Sequence, residues 1–303
     1  MTTQYDTHNE FPLPSGLRAA ADTLRTWLGE ADRVLITAGA GLSAAAGYDY
    51  GDAGRFRELL PALYRLGLRS RYLLGVPLPA DMMWGYWAVH IDDIRFGTRP
   101  NALYRRLREL VGDRDHWVMT SNVDALFARN GFDQDRIFTP QGDYGRLQCT
   151  VPCAQETWDS KPFYDRIIAA YDRESGRVTD PAALPVCPNC GADVFPNVRV
   201  GPEFVDGAFM PAWDRLTRWL DDAPGDARLL VLEFGAGFNT PGVIRRPGEN
   251  IVRHSPGARL VRVNPGHPDV PDDLGNRALA VPFGADDLLD ALSGSELSDD
   301  RSV

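Results

Sequence analysis

Lysine is nearly missing from this chain. Of 32 basic residues only Lys161 is a lysine, so no lysine follows a glycine loop as in a Walker-type nucleotide site, and Schiff-base chemistry has little to work with. No apolar run approaches the roughly 18 residues of a membrane-spanning helix. The start, Met1 to Glu10, is polar and acidic rather than a signal sequence, so the expected location is the cytoplasm. Acidic residues number 42, giving a net charge of −10, which argues against nucleic acid as the default partner. Internal repeats and low-complexity tracts are absent. Cysteine is scarce, but all four cysteines fall between positions 149 and 190.

What is present is a succession of short apolar runs. The 303 residues, 44% of them hydrophobic, suffice for one large domain and a smaller one. Arg33 to Thr37 reads as a buried strand running into the glycine turn Ala38-Gly39-Ala40-Gly41. Before it, Leu17, Ala20, Ala21, Leu24 and Leu28 share one helical face. Further strands are expected at Trp117 to Thr120, Arg136 to Thr139, Leu229 to Phe234, Ala258 to Val263 and Ala278 to Val281, and a last helix over Phe283 to Leu292. Strands alternating with helices imply an α/β fold, a Rossmann-like doubly wound parallel sheet. Two stretches break the alternation: a Leu-, Tyr-, Trp- and Arg-rich helical insertion over 55–95, and the cysteine-bearing stretch. The expected large domain is 15–54, 96–145 and 225–292; the smaller one combines 55–95 with a ribbon over 146–200. Residues 293–303 read as a disordered tail.

Three motifs carry chemistry. A glycine turn after a strand can serve NAD, FAD or S-adenosylmethionine, or be a plain packing turn; Gly39 and Gly41 would let backbone approach a pyrophosphate, with Ser43 on the helix that follows. Cys149-x3-Cys153 and Cys187-x2-Cys190 form two knuckles about 33 residues apart, the pattern of a closed four-thiolate zinc site. Two disulfides are the other reading, and the cytoplasmic context argues against them. Asn122 and Asp124 emerge at the end of a strand, where open α/β sheets bind ligands, although either could simply cap the helix starting near Ala125.

Taken in order, Gly39-Ala40-Gly41-Leu42-Ser43, Thr120-Ser121-Asn122-Val123-Asp124 and Gln141-Gly142 ahead of Cys149 resemble the sirtuins, whose signatures are GAGxS, TQNxD and a His-Gly pair before a four-cysteine zinc ribbon. The likeness runs from about Leu17 to Leu292. It continues through Gly235-Ala236-Gly237-Phe238-Asn239-Thr240-Pro241 and Val263-Asn264, similar to the family's adenosine-side segments. The resemblance implies NAD as substrate and a structural zinc on Cys149, Cys153, Cys187 and Cys190. It also implies a cofactor site from Gly39, Ala40, Gly41, Ser43, Asn122, Asp124, Gln141, Gly235, Gly237, Asn239 and Asn264. By the same resemblance Asp124 would hold the nicotinamide carboxamide and Asn122 would contact the nicotinamide ribose or an ordered water.

The departures narrow this further. The family's Pro-Asp-Phe-Arg is replaced by Asp49-Tyr50-Gly51-Asp52, with Arg55 and Phe56, the expected cofactor-binding equivalents, a few residues on. Val200-Gly201-Pro202-Glu203-Phe204 alters the acyl-lysine groove. Gln141 stands where the family has its catalytic histidine, and an amide cannot act as a general base near neutral pH. Gln141-Gly142-Asp143-Tyr144-Gly145 resembles the macrodomain-associated, class M sirtuins. That resemblance implies transfer of ADP-ribose to a protein acceptor, with Asn122 and Gln141 as catalytic residues. A lipoylated carrier protein would be the acceptor and a macrodomain protein a functional partner. Without a base, a carboxylate or thiolate acceptor suits better than a hydroxyl. An NAD-dependent deacylase using another histidine and a non-catalytic NAD or ADP-ribose sensor are the competing readings.

Overall fold

The computed structural model describes residues 14–97, 100–239 and 241–294. Helix α1 (Ser15–Glu30) buries Leu17, Ala20, Ala21, Leu24 and Leu28 and delivers the chain to β1 (Arg33–Ala38). After the glycine turn come α2 (Ala40–Ala45), α3 (Ala53–Leu59), α4 (Pro61–Arg65) and α5 (Ala80–Ile91), the last running into a π-helical turn at Asp92–Phe96. Helix α6 (Ala102–Val111) leads to β2 (Asp115–Thr120), followed by α7 (Leu126–Arg129) and β3 (Ile137–Phe138). The second insertion holds β4 (Gly142–Cys149), β5 (Trp158–Asp159), α8 (Lys161–Ala169), β6 (Tyr171–Asp172), β7 (Arg177–Val178) and β8 (Val194–Val198). The chain then returns through α9 (Met210–Asp221), β9 (Leu229–Phe234), α10 (Arg245–His254), β10 (Arg259–Val263), β11 (Ala278–Val281) and α11 (Ala285–Gly294).

The large sheet has the order β11-β10-β9-β1-β2-β3, with every pairing parallel. This is the order of a dinucleotide-binding fold, reversing direction between β1 and β9. Successive residues point to opposite faces of a strand, so Val34, Ile36 and Ala38 join one core with α1, α6 and α11, while Leu35 joins the other with α9 and α10. The sheet is therefore covered on both sides, which is what its nearly all-apolar strands require.

The two insertions make one smaller domain. Phe56, Leu63, Tyr86 and Ile91 from the helical insertion share a core with Tyr144, Leu147, Tyr164 and Val194 from the cysteine-bearing one. Strand β4 pairs antiparallel with β5 and β8, so residues 142–145, assigned to the large domain from sequence, open the small sheet. Helix α9 lies in the stretch 201–224, left unassigned from sequence, and packs Leu216 and Trp219 against the large sheet. Ser293 and Gly294 close α11; residues 295–303, the rest of the expected disordered tail, lie outside the described residues, as do Met1 to Glu10 and Thr240.

Candidate active site at the switch point

The crevice outside the carboxyl ends of β1 and β9 is formed by two turns pressed together. The Gly39 N–H donates to the Phe234 carbonyl and the Gly41 N–H to the Gly235 carbonyl, each at 3.0 Å. A Cβ on Gly39 would lie 2.8 Å from the Ala236 Cα and the Gly235 oxygen, and one on Gly41 would lie 2.8 Å from the Gly235 Cα. Gly235 itself has φ +61, and a Cβ there would sit 2.3 Å from the Leu42 nitrogen. The crossing of the two turns thus requires the glycines, a reason additional to the pyrophosphate approach expected from sequence.

An outer cavity of about 300 Å³ opens along this crossing, lined by Gly39, Ala40, Gly41, Gly235, Gly237, Asn239, Asn264 and His267. Asn264 braces it: its amide donates to the Ala236 carbonyl and its oxygen accepts from the Gly266 and His267 N–H groups, all at 3.0 Å. Arg245, which the sequence reading missed, does more of the same. Buried to 3% exposure, it donates to the carbonyls of Ala236 (2.9 Å), His267 (3.0 Å) and Asp269 (3.1 Å). Its charge faces Glu233 at 4.0 Å. No local pattern marks such an arginine, because its partners are backbone atoms of two distant loops.

An inner cavity of about 140 Å³ adjoins it, lined by Ser43, Asn122, Asp124, Asp49 and the tyrosines Tyr48, Tyr50, Tyr72 and Tyr144. The Ser43 hydroxyl donates to Asp124 Oδ2 at 2.5 Å, and Asp124 Oδ1 accepts the Leu126 N–H at 2.9 Å. The same Asp124 carboxylate thus accepts the N–H of the first residue of α7, whose N-cap is Ala125, and lines the cavity. Burial pushes its carboxyl above the usual carboxylate range, while the Ser43 hydroxyl and the Leu126 N–H pull the other way. Asn122 donates to the Gly39 carbonyl at 3.1 Å, tying the second motif to the first. Between them and α7 stands Ala125 at φ 55, a left-handed conformation of the kind concentrated at functional sites.

Three expected site residues lie elsewhere. Gln141 is half-buried, lines neither cavity and makes no side-chain hydrogen bond among the described residues; its carbonyl accepts the Arg199 N–H at 3.0 Å. Phe56 is fully buried in the small-domain core. Arg55 pairs with Asp93 and, at 2.8 Å, with Glu58. The cause is local: the Asp52 carboxylate accepts the Gly54 and Arg55 N–H groups and starts α3 there, a capped helix that turns Phe56 inward. Tyr50 and Tyr72 occupy the cavity wall instead. Sequence reasoning passed over the tyrosines because aromatics in an apolar stretch usually mean core. Of the described histidines, none lines the inner cavity; His90 is wholly buried and held neutral by burial and by Arg71.

The cysteines converge. All four sulfurs lie within 4.8 Å of one another, with Cys149 to Cys190 at 3.7 Å and Cys153 to Cys187 at 3.6 Å. Sulfurs about 2.3 Å from a tetrahedral zinc stand roughly 3.8 Å apart, whereas a disulfide needs about 2.05 Å. Hydrogen bonding to Cys190 pushes the Cys153 thiol up to about 12. The Cys187 thiol, with burial opposed by the Cys190 and Asn189 N–H groups, falls to about 7. Four sulfurs converging at these distances are suited to a dication, and together they form a structural zinc site with no open position.

The comparisons agree with this geometry. No protein-family profile matches the chain. A "Probable bifunctional ADP-ribose hydrolase/ADP-ribosyltransferase" of Fusarium oxysporum f. sp. cubense is 34% identical over 264 residues, covering 84% of this chain but 44% of that protein, so the chain spans less than half of this relative's length. A "Protein ADP-ribosyltransferase" of Staphylococcus aureus is 26% identical over 264 residues, 86% of this chain and 82% of that protein. Among solved structures, a Sir2 homologue in complex with NAD superposes with a TM-score of 0.57 at 20% identity, covering 92% of this chain and 94% of that one. With the switch-point crevice, the paired cavities and the four-sulfur cluster in place, the chain has the sirtuin (Sir2) fold and is similar in sequence to proteins named as ADP-ribosyltransferases.

Proposed function

We propose that the protein is an NAD-dependent protein ADP-ribosyltransferase. The observation that carries this reading is the absence of any described histidine from the inner cavity, with Gln141 at the position the family uses for its base. The names of the Fusarium and Staphylococcus relatives support it. In the proposed reaction the bond between ribose C1′ and the nicotinamide nitrogen breaks, its electron pair leaving with neutral nicotinamide. The acceptor nucleophile then bonds to C1′ and gives up its proton, if it carries one. Asn122 and Asp124 hold the ribose and the carboxamide, so positioning and electrostatics stabilise the cationic C1′. Gln141 lines neither cavity; the role proposed for it, orienting the ribose or acceptor, rests on its place in the sequence motif alone. An ionised carboxylate or thiolate acceptor needs no base, which suits a site with an amide there.

The finer reading is that the acceptor is a lipoylated carrier protein and that a macrodomain protein works alongside. Incubation with radiolabelled NAD tests both levels. Label on protein supports transfer, O-acyl-ADP-ribose formed from an acyl-lysine peptide would favour a deacylase, and binding without nicotinamide release would favour a sensor. Label on a lipoylated carrier, but not on the same carrier without its lipoyl group, supports the finer reading.

A further inference from the structure

The segment Gln141 to Gly145 is explained position by position except for its first residue. Gly142 has φ +98, and a Cβ there would lie 2.0 Å from the Asn197 carbonyl oxygen of β8. Asp143 takes a two-point contact from Arg95, Nε to Oδ1 at 2.6 Å and a terminal guanidinium nitrogen to Oδ2 at 3.1 Å. Asp143 Oδ1 also accepts the Gly145 N–H at 2.6 Å. The Tyr144 N–H donates to the Val123 carbonyl at 3.0 Å, fastening the strand to the Asn122–Asp124 segment. A Cβ on Gly145 would meet the Arg95 guanidinium at 2.7 Å, so a glycine there leaves room for that group. Among the described residues the Gln141 side chain has no hydrogen-bond partner.

This clamp follows a point where the strand is held, Gly142 opposite Val198 with the Gln141 carbonyl accepting the Arg199 N–H at 3.0 Å. The β4–β8 pairing shifts register between Gly142 and Leu147, so the residues between them lack a regular ladder to β8. Arg95 is itself well anchored on the π-helical turn. Its carbonyl and that of Ile94 accept from Arg129 of α7, at 3.3 and 2.9 Å. Asp93 in the same turn takes Arg71 at 2.8 Å. Helical turns of this type are rare and concentrate at functional sites. The planar fork of an arginine on a carboxylate fixes direction as well as distance, and these two side chains are only 21% and 20% exposed.

We propose that Arg95, acting through Asp143, is the positioning residue that sets where Gln141 stands. The role rests on the ADP-ribosyltransferase reading, within which Gln141 orients the reactants. Neither Arg95 nor Asp143 lines the inner or the outer cavity, so loss of the clamp is expected to change transfer more than NAD affinity.

The test uses the full chain with Arg95→Lys, which keeps the charge and loses the fork, Asp143→Asn, and Asp143→Glu, which keeps a carboxylate. Transfer of label should fall about tenfold in the first two, in line with the cost of small misplacements, with NAD dissociation constants within about twofold of wild type. Asp143→Glu should recover most of the rate. In a Gln141→Ala background Arg95→Lys should cost nothing further. Unchanged transfer in Arg95→Lys, an equal loss in the Gln141→Ala background, or a parallel loss of NAD affinity would each overturn the clamp. Amide hydrogen exchange over 141–147 is read on the same proteins. Arg95→Lys should accelerate it, and unchanged exchange overturns the clamp whether or not the wild type labels anything. A wild type that labels no protein refutes the transferase reading by itself.

Discussion

Replacing Gly41 with alanine should damage both stability and ligand binding, and the size of the effect follows from the crossing of the two turns. The new Cβ would stand 2.8 Å from both the Cα and the oxygen of Gly235, against about 3.5 Å for ordinary carbon contacts. The turns must therefore part by roughly 0.7 Å, and neither contact atom is a flexible side-chain end that could swing away. Overpacking of this kind costs about 1–3 kcal/mol, or a fall of roughly 2–10 °C in the thermal midpoint for a chain of this size. The outer cavity is built on the same two turns. If about 1.4 kcal/mol of the strain is relieved by opening it, affinity for ADP-ribose falls about tenfold. Gly237 supplies the control: it lines the same cavity, yet a Cβ there meets nothing within 4 Å, so Gly237→Ala should stay within about 0.5 kcal/mol of wild type in stability. Scanning calorimetry and titration with ADP-ribose read both variants. A Gly41→Ala protein that melts and binds like wild type would refute the packing argument, and a Gly237→Ala protein that loses as much stability would show that the crossing is not what matters.

Metal analysis should find one zinc per chain, and Cys190→Ser should cost several kcal/mol and loosen the small domain; no zinc with free thiols would contradict this. Asp124→Asn should weaken inhibition by nicotinamide while leaving ADP-ribose affinity unchanged, as inhibition kinetics and calorimetry will show. The rate of transfer should lack an inflection near the imidazole pKa of roughly 6.5, and Gln141→Ala should lower transfer without lowering the thermal midpoint. Asp32 is held down to about 2 from its ordinary 3.8 by its hydrogen bonds to Arg228. The stability this adds is complete above 3.8 and fades as pH falls through about 2, so acid titration of Asp32→Asn should lack that component.

The strands and their turns were legible because each is a local apolar run followed within two residues by glycine, asparagine or proline. All six expected strands of the large sheet form, although the run Arg136 to Thr139 yields only Ile137–Phe138. The order of the sheet was legible only as a class, since pairings such as Arg33 with Leu229 join distant segments. The cysteine cluster was readable from spacing together with the expected reducing context, because a tetrahedral ion fixes both the residue type and the loop between ligands. The cavity walls were not. Tyr48, Tyr50, Tyr72 and Tyr144 look like core in one dimension, and Arg245 binds carbonyls that any residue could offer. Arg55 and Phe56 show the limit of matching motifs by residue type: the Asp52 cap starts α3 at Ala53, and neither side chain lines the two cavities.

The neighbouring strands at the switch point have a consequence for the order of assembly. Asp32 and Arg228, which join the two strands at their start, are 196 residues apart in the chain. At about 5–20 residues per second of synthesis, roughly 10–40 s separate the emergence of the first turn from that of its partner. During that interval Gly39 and Gly41 have nothing to close against, and both insertions must find their common core first or wait. The adenosine-side wall is therefore among the last parts of the molecule to be synthesised, and a chain interrupted before Leu229 carries every residue of the small-domain core yet lacks the second turn of the dinucleotide crevice.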